Sequence, residues 1–329
     1  MSRPATHSGS WYLSNPSSLS QQLGTFFTEA IKENGGPVKG TRAIISPHAG
    51  YSYCGETMAK AYAKLDITDQ IKRVFILGPS HHFYFKNKGL ISRYEVLETP
   101  LGSLKVDVET VEKLLSNPEL FANLDQEADQ DEHSLEMQYP MWYQTLIHNG
   151  LSPSKIGVVP ILISHNSTKI DYTIGKCLLE YLKSGDSIFI ISSDFCHWGR
   201  RFGYTGYVSS HEDIADAIAE LTEIETLTTR SKLDHHCLKI YKSIELLDRY
   251  AMDILAQKNG PKDTYAAWKE YLEVTGNTIC GEKPTGVFLC LLSYLNTSHP
   301  FKWSGYSQSS NVESLDESSV SYAAGYCVV

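Results

Sequence analysis

Three apolar runs end in polar clusters: Arg42–Ser46 runs into Pro47-His48, Val74–Leu77 into Ser80-His81-His82, and Ile188–Ile191 into Ser193-Asp194-Phe195-Cys196-His197. Imidazole, carboxylate and thiol are the side chains that bind first-row transition metals, and they also serve as general acids and bases. Each has a plainer reading. A His after a strand can be a hydrogen-bonded loop residue, Asp194 can cap the turn that follows, and His133 in Asp131-Glu-His-Ser134 can belong to a helix cap. Recurrence at equivalent places on successive strand–helix units points to a shared site. Cys280, in Asn277-Thr-Ile-Cys-Gly281, lies between two helical segments and is accessible in a way that a mid-helix thiol is not. Cys177, Cys237 and Cys290 fall within helical patterns and read as packing residues. Cys54 follows the His48 loop and either borders the site or packs at a helix start. No short-range ligand motif such as HExxH is present.

These clusters need a scaffold that brings them together. The four-residue to eight-residue apolar runs, with Ile156–Ile163 as a further one, read as buried strands. Helical spacing predicts helices over 17–34, near 59–65, over 106–116 with Asp107 as N-cap, over 134–148 with a disturbance at Pro140, and over 170–183. Further helices are predicted over 212–227, 234–258, 264–274 and 285–295, and strand-like alternation over 301–306 and 319–328. Strands alternating with helices predict an α/β fold: a three-layer sandwich whose central, mostly parallel or mixed sheet has helices on both faces. In such sheets ligands bind outside the carboxyl ends of the strands, which would set all three clusters along one rim. Ligands spread from residue 48 to residue 280 imply one domain over 1–329, with the polar stretch 208–237 as a peripheral insertion and the Ser-rich 307–319 as an exposed loop.

The 329 residues carry 29 Lys and Arg against 38 Asp and Glu, a net charge of −9. That balance argues against nucleic acid and anionic membranes as partners. The apolar runs are too short to span a bilayer. Seven scattered cysteines without a CxxC argue against a disulfide framework and for a reducing compartment, so a cytoplasmic location is expected, with nuclear presence allowed.

Read together, Ser10-Trp-Tyr12, Pro47-His-Ala-Gly-Tyr51, Leu77-Gly-Pro-Ser-His-His82, Asp131-Glu-His-Ser134, Ser192-Ser-Asp-Phe-Cys-His-Trp-Gly199, Asn277-Thr-Ile-Cys-Gly281 and Ser318-Ser-Val-Ser-Tyr-Ala-Ala-Gly325 resemble the motifs of the Memo family, in order along the whole chain. The resemblance implies a fold similar to class III non-haem iron extradiol dioxygenases. It implies a pocket with His48, His81 and Cys280 as metal ligands and Asp194 and His197 lining it as outer-shell or proton-relay groups, with His82, His133 and Cys54 nearby. It implies iron or copper, zinc less so, in redox chemistry or redox-linked signalling. The alternative is a non-catalytic module that binds phosphotyrosine-type peptides in the same cleft; a zinc hydrolase with Asp194 as base is a third reading. The dioxygenases hold Fe(II) with two His and a carboxylate, and here the third candidate is a softer, oxidisable thiolate. Ring cleavage therefore does not transfer with the fold.

Overall fold

The computed structural model describes residues 1–256 and 261–329. Its main element, among those residues, is a nine-stranded sheet. From one edge the order is His197–Trp198, Ser319–Val328, Thr41–Ser46, Ser187–Ser192, Arg73–Pro79, Gly157–Ile163, Gly89–Ile91 and Phe121–Asn123, with Phe301–Gln308 paired to Ser319–Val328 off this path. The four middle strands, Thr41–Ser46 to Gly157–Ile163, are mutually parallel. Ser319–Val328 and Gly89–Ile91 flank them antiparallel, so the sheet is mixed.

Helices cover both faces, which is why the middle strands are apolar on both sides of the pleat. On one face Phe75 stacks on Phe189 at 4.8 Å, and Phe189 meets Phe288 of helix Glu282–Leu292 at 5.6 Å. That helix packs so tightly on Thr168–Ser184 that a Cβ on Gly175 would lie 2.7 Å from the Leu291 nitrogen. On the other face Gly78 admits the short helix His133–Glu136, where a Cβ would lie 2.6 Å from Ser134 Oγ. Helices Pro16–Asn34, Tyr51–Tyr62 and Gln138–His148 pack together on this second face. The first of them starts where Asn15 Oδ1 accepts the Ser18 N–H at 3.0 Å, and it buries Leu19, Leu23, Phe27 and Ala30.

Several elements differ from the periodicity. The helix expected near 59–65 is Tyr51–Tyr62, because the chain turns into it at Gly50, two residues after His48. The helix expected over 134–148 is two helices broken at Met137, and Pro140 sits in the first turn of the second, where its missing N–H costs little. The helix expected over 212–227 is His211–Glu220, held by a Ser210/Asp213 capping box, and Glu225–Thr226 is instead a strand paired with Gly206–Tyr207. The helix expected over 234–258 runs Ile240–Leu255; Lys258 lies outside the described residues. The 208–237 stretch rests on a small apolar cluster that includes Trp198, Tyr207, Leu227, Ile244 and Val312. Val312 is fully buried there, so 307–319 is not wholly an exposed loop. A small sheet of Ser2–Arg3, Val96–Thr99 and Gly102–Lys105 had no sequence signal, its strands being too short for alternation to register. The seven cysteines are unpaired, and no helix of the described residues is long and apolar enough to cross a membrane.

Candidate metal centre

Thr41–Ser46, Arg73–Pro79 and Ser187–Ser192 are parallel and adjacent, so they end on one rim. His48, His81 and Asp194 each stand two residues past the end of their strand. Cys280 arrives from the facing loop, between helices Pro261–Thr275 and Glu282–Leu292. Gly281 allows that loop to press onto the rim. A Cβ there would lie 2.2 Å from Ser193 Cβ, and its N–H donates to Ser193 Oγ at 3.1 Å.

The hydrogen-bond network fixes the tautomers of three imidazoles. Gln138 accepts from the Tyr62 hydroxyl through Oε1, so its amide nitrogen donates to the Pro47 carbonyl at 3.0 Å and to Ser192 Oγ at 2.8 Å. Ser192 spends its own proton on the Ser134 carbonyl at 2.7 Å. It can then only accept from His48 Nδ1, 2.8 Å away, which makes Nδ1 the protonated nitrogen and leaves a lone pair on Nε2. His81 Nδ1 lies 2.8 Å from Glu132 Oε1, and Glu132 Oε2 takes the His81 N–H at 2.7 Å. His197 Nδ1 faces two carbonyls, Phe195 at 3.0 Å and Thr278 at 3.2 Å, neither of which can donate. In the neutral tautomer so fixed, each of the three rings carries its lone pair on Nε2. His48 Nε2 is 3.1 Å from Cys280 Sγ. Orientation of a ligating His by an acceptor behind it is the usual arrangement around bound metals.

Two sets of donors share Cys280: His48 with His81, and Asp194 with His197. In each set the potential ligand atoms lie within 4.8 Å of one another. The buried Asp194 carboxylate accepts the His48 N–H at 2.7 Å, and its own N–H points at Cys280 Sγ at 3.2 Å. A third trio, His81, Glu132 and His133, uses the same carboxylate that orients His81. His133 is stacked between Trp11 at 4.4 Å and His81 at 4.2 Å. His82 is exposed and meets His133 edge-on at 6.0 Å. Cys54 is buried in helix Tyr51–Tyr62 with its thiol donating to the Ala49 carbonyl, so it packs behind the His48 loop.

Burial sets the charge states. It pushes His48 well below its ordinary pKa, and the neighbouring imidazoles add to that. It pushes the Cys280 thiol well up, with the Asp194 charge adding, and this outweighs the thiolate-favouring position of Cys280 just before a helix N-terminus. Burial raises Asp194 as well. It opposes ionisation of Glu132 too, but bonding from His81 holds that group down at about 2. Burial takes His133 down to about 3, with repulsion from the protonated forms of neighbouring imidazoles adding. Burial thus favours a neutral imidazole at His48 against a neutral thiol at Cys280, with carboxylates behind them. The rim opens on a cleft of about 530 Å³ bounded by Ile163, Phe202 and Leu272, with His165 and Lys283 also facing it.

The structure thus brings His48, His81, Cys280, Asp194 and His197 together, with His133 and His82 outside the ring of donors. Sequence reasoning missed Glu132, Ser192 and Gln138, which orient the imidazoles. Glu132 stands beside the His133 that drew attention, and its complete burial is what distinguishes it.

The chain is 53% identical to a MEMO1 family protein, MHO1, of Saccharomyces cerevisiae, over 99% of both chains. It is 40% identical to a MEMO1 family protein of Schizosaccharomyces pombe over 98% of this chain and 97% of that one. Protein MEMO1 of Xenopus tropicalis is 36% identical over 99% and 97%. A solved structure of an uncharacterized Escherichia coli K12 protein aligns over 85% of this chain and 99% of that chain, with a TM-score of 0.43 and 12% identity. The model of Memo-like proteins matches residues 3–326, and with these relatives it establishes that the chain belongs to the Memo-like family.

Proposed function

We propose that this protein binds one iron or copper ion through His48, His81 and Cys280, and uses it in redox chemistry or redox-linked signalling. The observation that carries this reading is the donor geometry: His48, His81 and Cys280 each offer a ligand atom within 4.8 Å of the others, both imidazoles are tied through Nδ1 to fixed acceptors, and His48 Nε2 is 3.1 Å from the thiol sulfur. Two imidazoles and a thiolate suit copper, including Cu(I), and iron better than a hard cation, and zinc also accepts such a set. A metal held there would supply one-electron chemistry at the mouth of the cleft. Asp194 holds the His48 backbone and directs an N–H at Cys280 Sγ, which favours the thiolate once the thiol has lost its proton. His197, with Nδ1 donating to backbone carbonyls, leaves Nε2 as the nitrogen that can exchange a proton. The cleft lysine, Lys283, is already paired with Glu282 at 2.7 Å, which favours the metal reading over capture of a phosphorylated peptide.

The test is direct. Untagged protein is reconstituted anaerobically with Fe(II) or Cu(I), desalted, and analysed for bound metal by mass spectrometry. About one ion per chain is expected with at least one of the two, lost in Cys280→Ser. Wild type that stays unloaded with both metals overturns the reading.

A further inference from the structure

Asp248 lies in the middle of helix Ile240–Leu255 and is completely buried. Among the described residues no cation pairs with it, and its neighbours are donors. One oxygen accepts the Cys196 N–H and the Asn277 side-chain amide, both at 3.2 Å; the other accepts the Tyr306 hydroxyl at 2.8 Å. Cys196 lies between Asp194 and His197, and Asn277 opens the loop that carries Thr278 and Cys280. A single oxygen therefore joins the two loops that supply Asp194, His197 and Cys280. Further bonds between the loops bear on the same alignment: the His197 N–H donates to Thr278 Oγ1 at 2.9 Å, and that hydroxyl donates back to the His197 carbonyl at 2.8 Å. Asn277 is braced as well by Tyr271, whose hydroxyl accepts from its amide at 2.8 Å.

We propose that Asp248 is a positioning residue for the Cys280 side of the site, clamping the 194–197 loop to the 277–280 loop through one shared carboxylate oxygen. This rests on the metal reading for its purpose and on the two loops alone for its geometry. The chemistry of the partners separates clamp from filler. Asparagine can keep an acceptor oxygen toward Cys196 and Asn277 and turn its NH2 to the hydroxyl of Tyr306, which can accept; leucine can do neither.

The experiment compares wild type, Asp248→Asn, Asp248→Leu and Tyr306→Phe, each checked for native folding by near-ultraviolet circular dichroism. The metal-free proteins are alkylated with iodoacetamide, with mass spectrometry resolving Cys280 from the other cysteines. The same proteins are titrated with Co(II) against a chelator while the thiolate-to-cobalt absorption band is followed. Asp248→Leu is expected to change the Cys280 alkylation rate at least about fivefold and to weaken Co(II) binding by roughly 10–100-fold. Asp248→Asn and Tyr306→Phe are expected to stay within about twofold of wild type in both. If Asp248→Leu does not fold, Asn277→Ala opens the same clamp from the Cys280 side and is expected to show the same change. A Cys280 rate unchanged in whichever of these variants folds, or Asp248→Asn as perturbed as Asp248→Leu, overturns the proposal. Wild type that takes up no Co(II) fails the metal reading instead, and the alkylation arm then decides the clamp by itself.

Discussion

The two sides of the rim are braced by buried acids of opposite design. Behind His81, Arg3 is buried and ion-paired with Asp129 at 2.7 Å and Glu136 at 2.5 Å, and it donates to the Glu132 carbonyl at 3.1 Å. Burial works against ionisation of Glu136, but bonds from His7, Arg3 and Tyr12 hold it down at about 2. Behind Cys280, burial of Asp248 prevails over its hydroxyl and amide partners and lifts it to about 6. One bracket is charged and compensated; the other is a carboxyl group held by neutral donors. A compensated pair is rigid but fails badly when one partner goes, whereas a neutral cage changes character with proton concentration.

The contrast is most severely tested by Arg3→Met. It leaves two buried carboxylates without their cation, and a loss of roughly 3–5 kcal/mol in urea-monitored stability is expected. A loss below about 1 kcal/mol would mean the ion pairs are not what holds that side.

The next effect is a pH signature, and its sign differs between the brackets. An unfolded Asp loses its proton near pH 4, while Asp248 in the folded chain keeps its proton to about 6. In that window the native state binds more protons, so this group's contribution to stability falls as pH rises from 4 to 6, by about 3 kcal/mol in all. Glu136 goes the other way. Its contribution is complete above its unfolded pKa, near 4, and is lost as pH falls toward 2. Urea titrations at several pH values should show wild type losing ground to Asp248→Asn between pH 4 and 6. A flat difference would refute the assignment to Asp248.

Glu132→Gln comes third. It keeps the shape behind His81 but weakens the bond that fixes its tautomer, and a drop of roughly 10–100-fold in Co(II) affinity is expected, with Cys280 alkylation unchanged. A changed Cys280 rate would show that the two sides are not independently held. The smallest effect belongs to a control far from both. Asn15→Ala removes an N-cap and should cost about 1 kcal/mol in thermal or urea unfolding without touching Co(II) binding or alkylation.

His48, His81, Asp194 and His197 could be read in the sequence because each follows an apolar run, and strand polarity alone carries such residues to one edge; Cys280 stood out instead as a thiol beside a glycine between two helical segments. The residues behind them could not, because their partners are far away: Arg3 meets Glu136 across 133 residues, and Asp248 meets Cys196 across 52. Asp248 did leave one trace. Ile244, Leu247, Ala251 and Leu255 mark the buried face of its helix, and Asp248 stands on that face. A carboxylate on an apolar stripe is a demand for partners, and periodicity says where the demand is without saying who meets it. The break at Met137 and the short outer strands escaped because they depend on what packs against them, not on local pattern.

Ser319–Val328 is an interior strand, seated between His197–Trp198 and the strand that leads to His48. It leaves the ribosome after every other strand of the sheet. Until it inserts, the backbone edge of Thr41–Ser46 on the His48 side has no partner. The parallel middle of the sheet can therefore pair during synthesis, while the strand that leads to His48 gains its second neighbour only when this last strand of the sheet arrives.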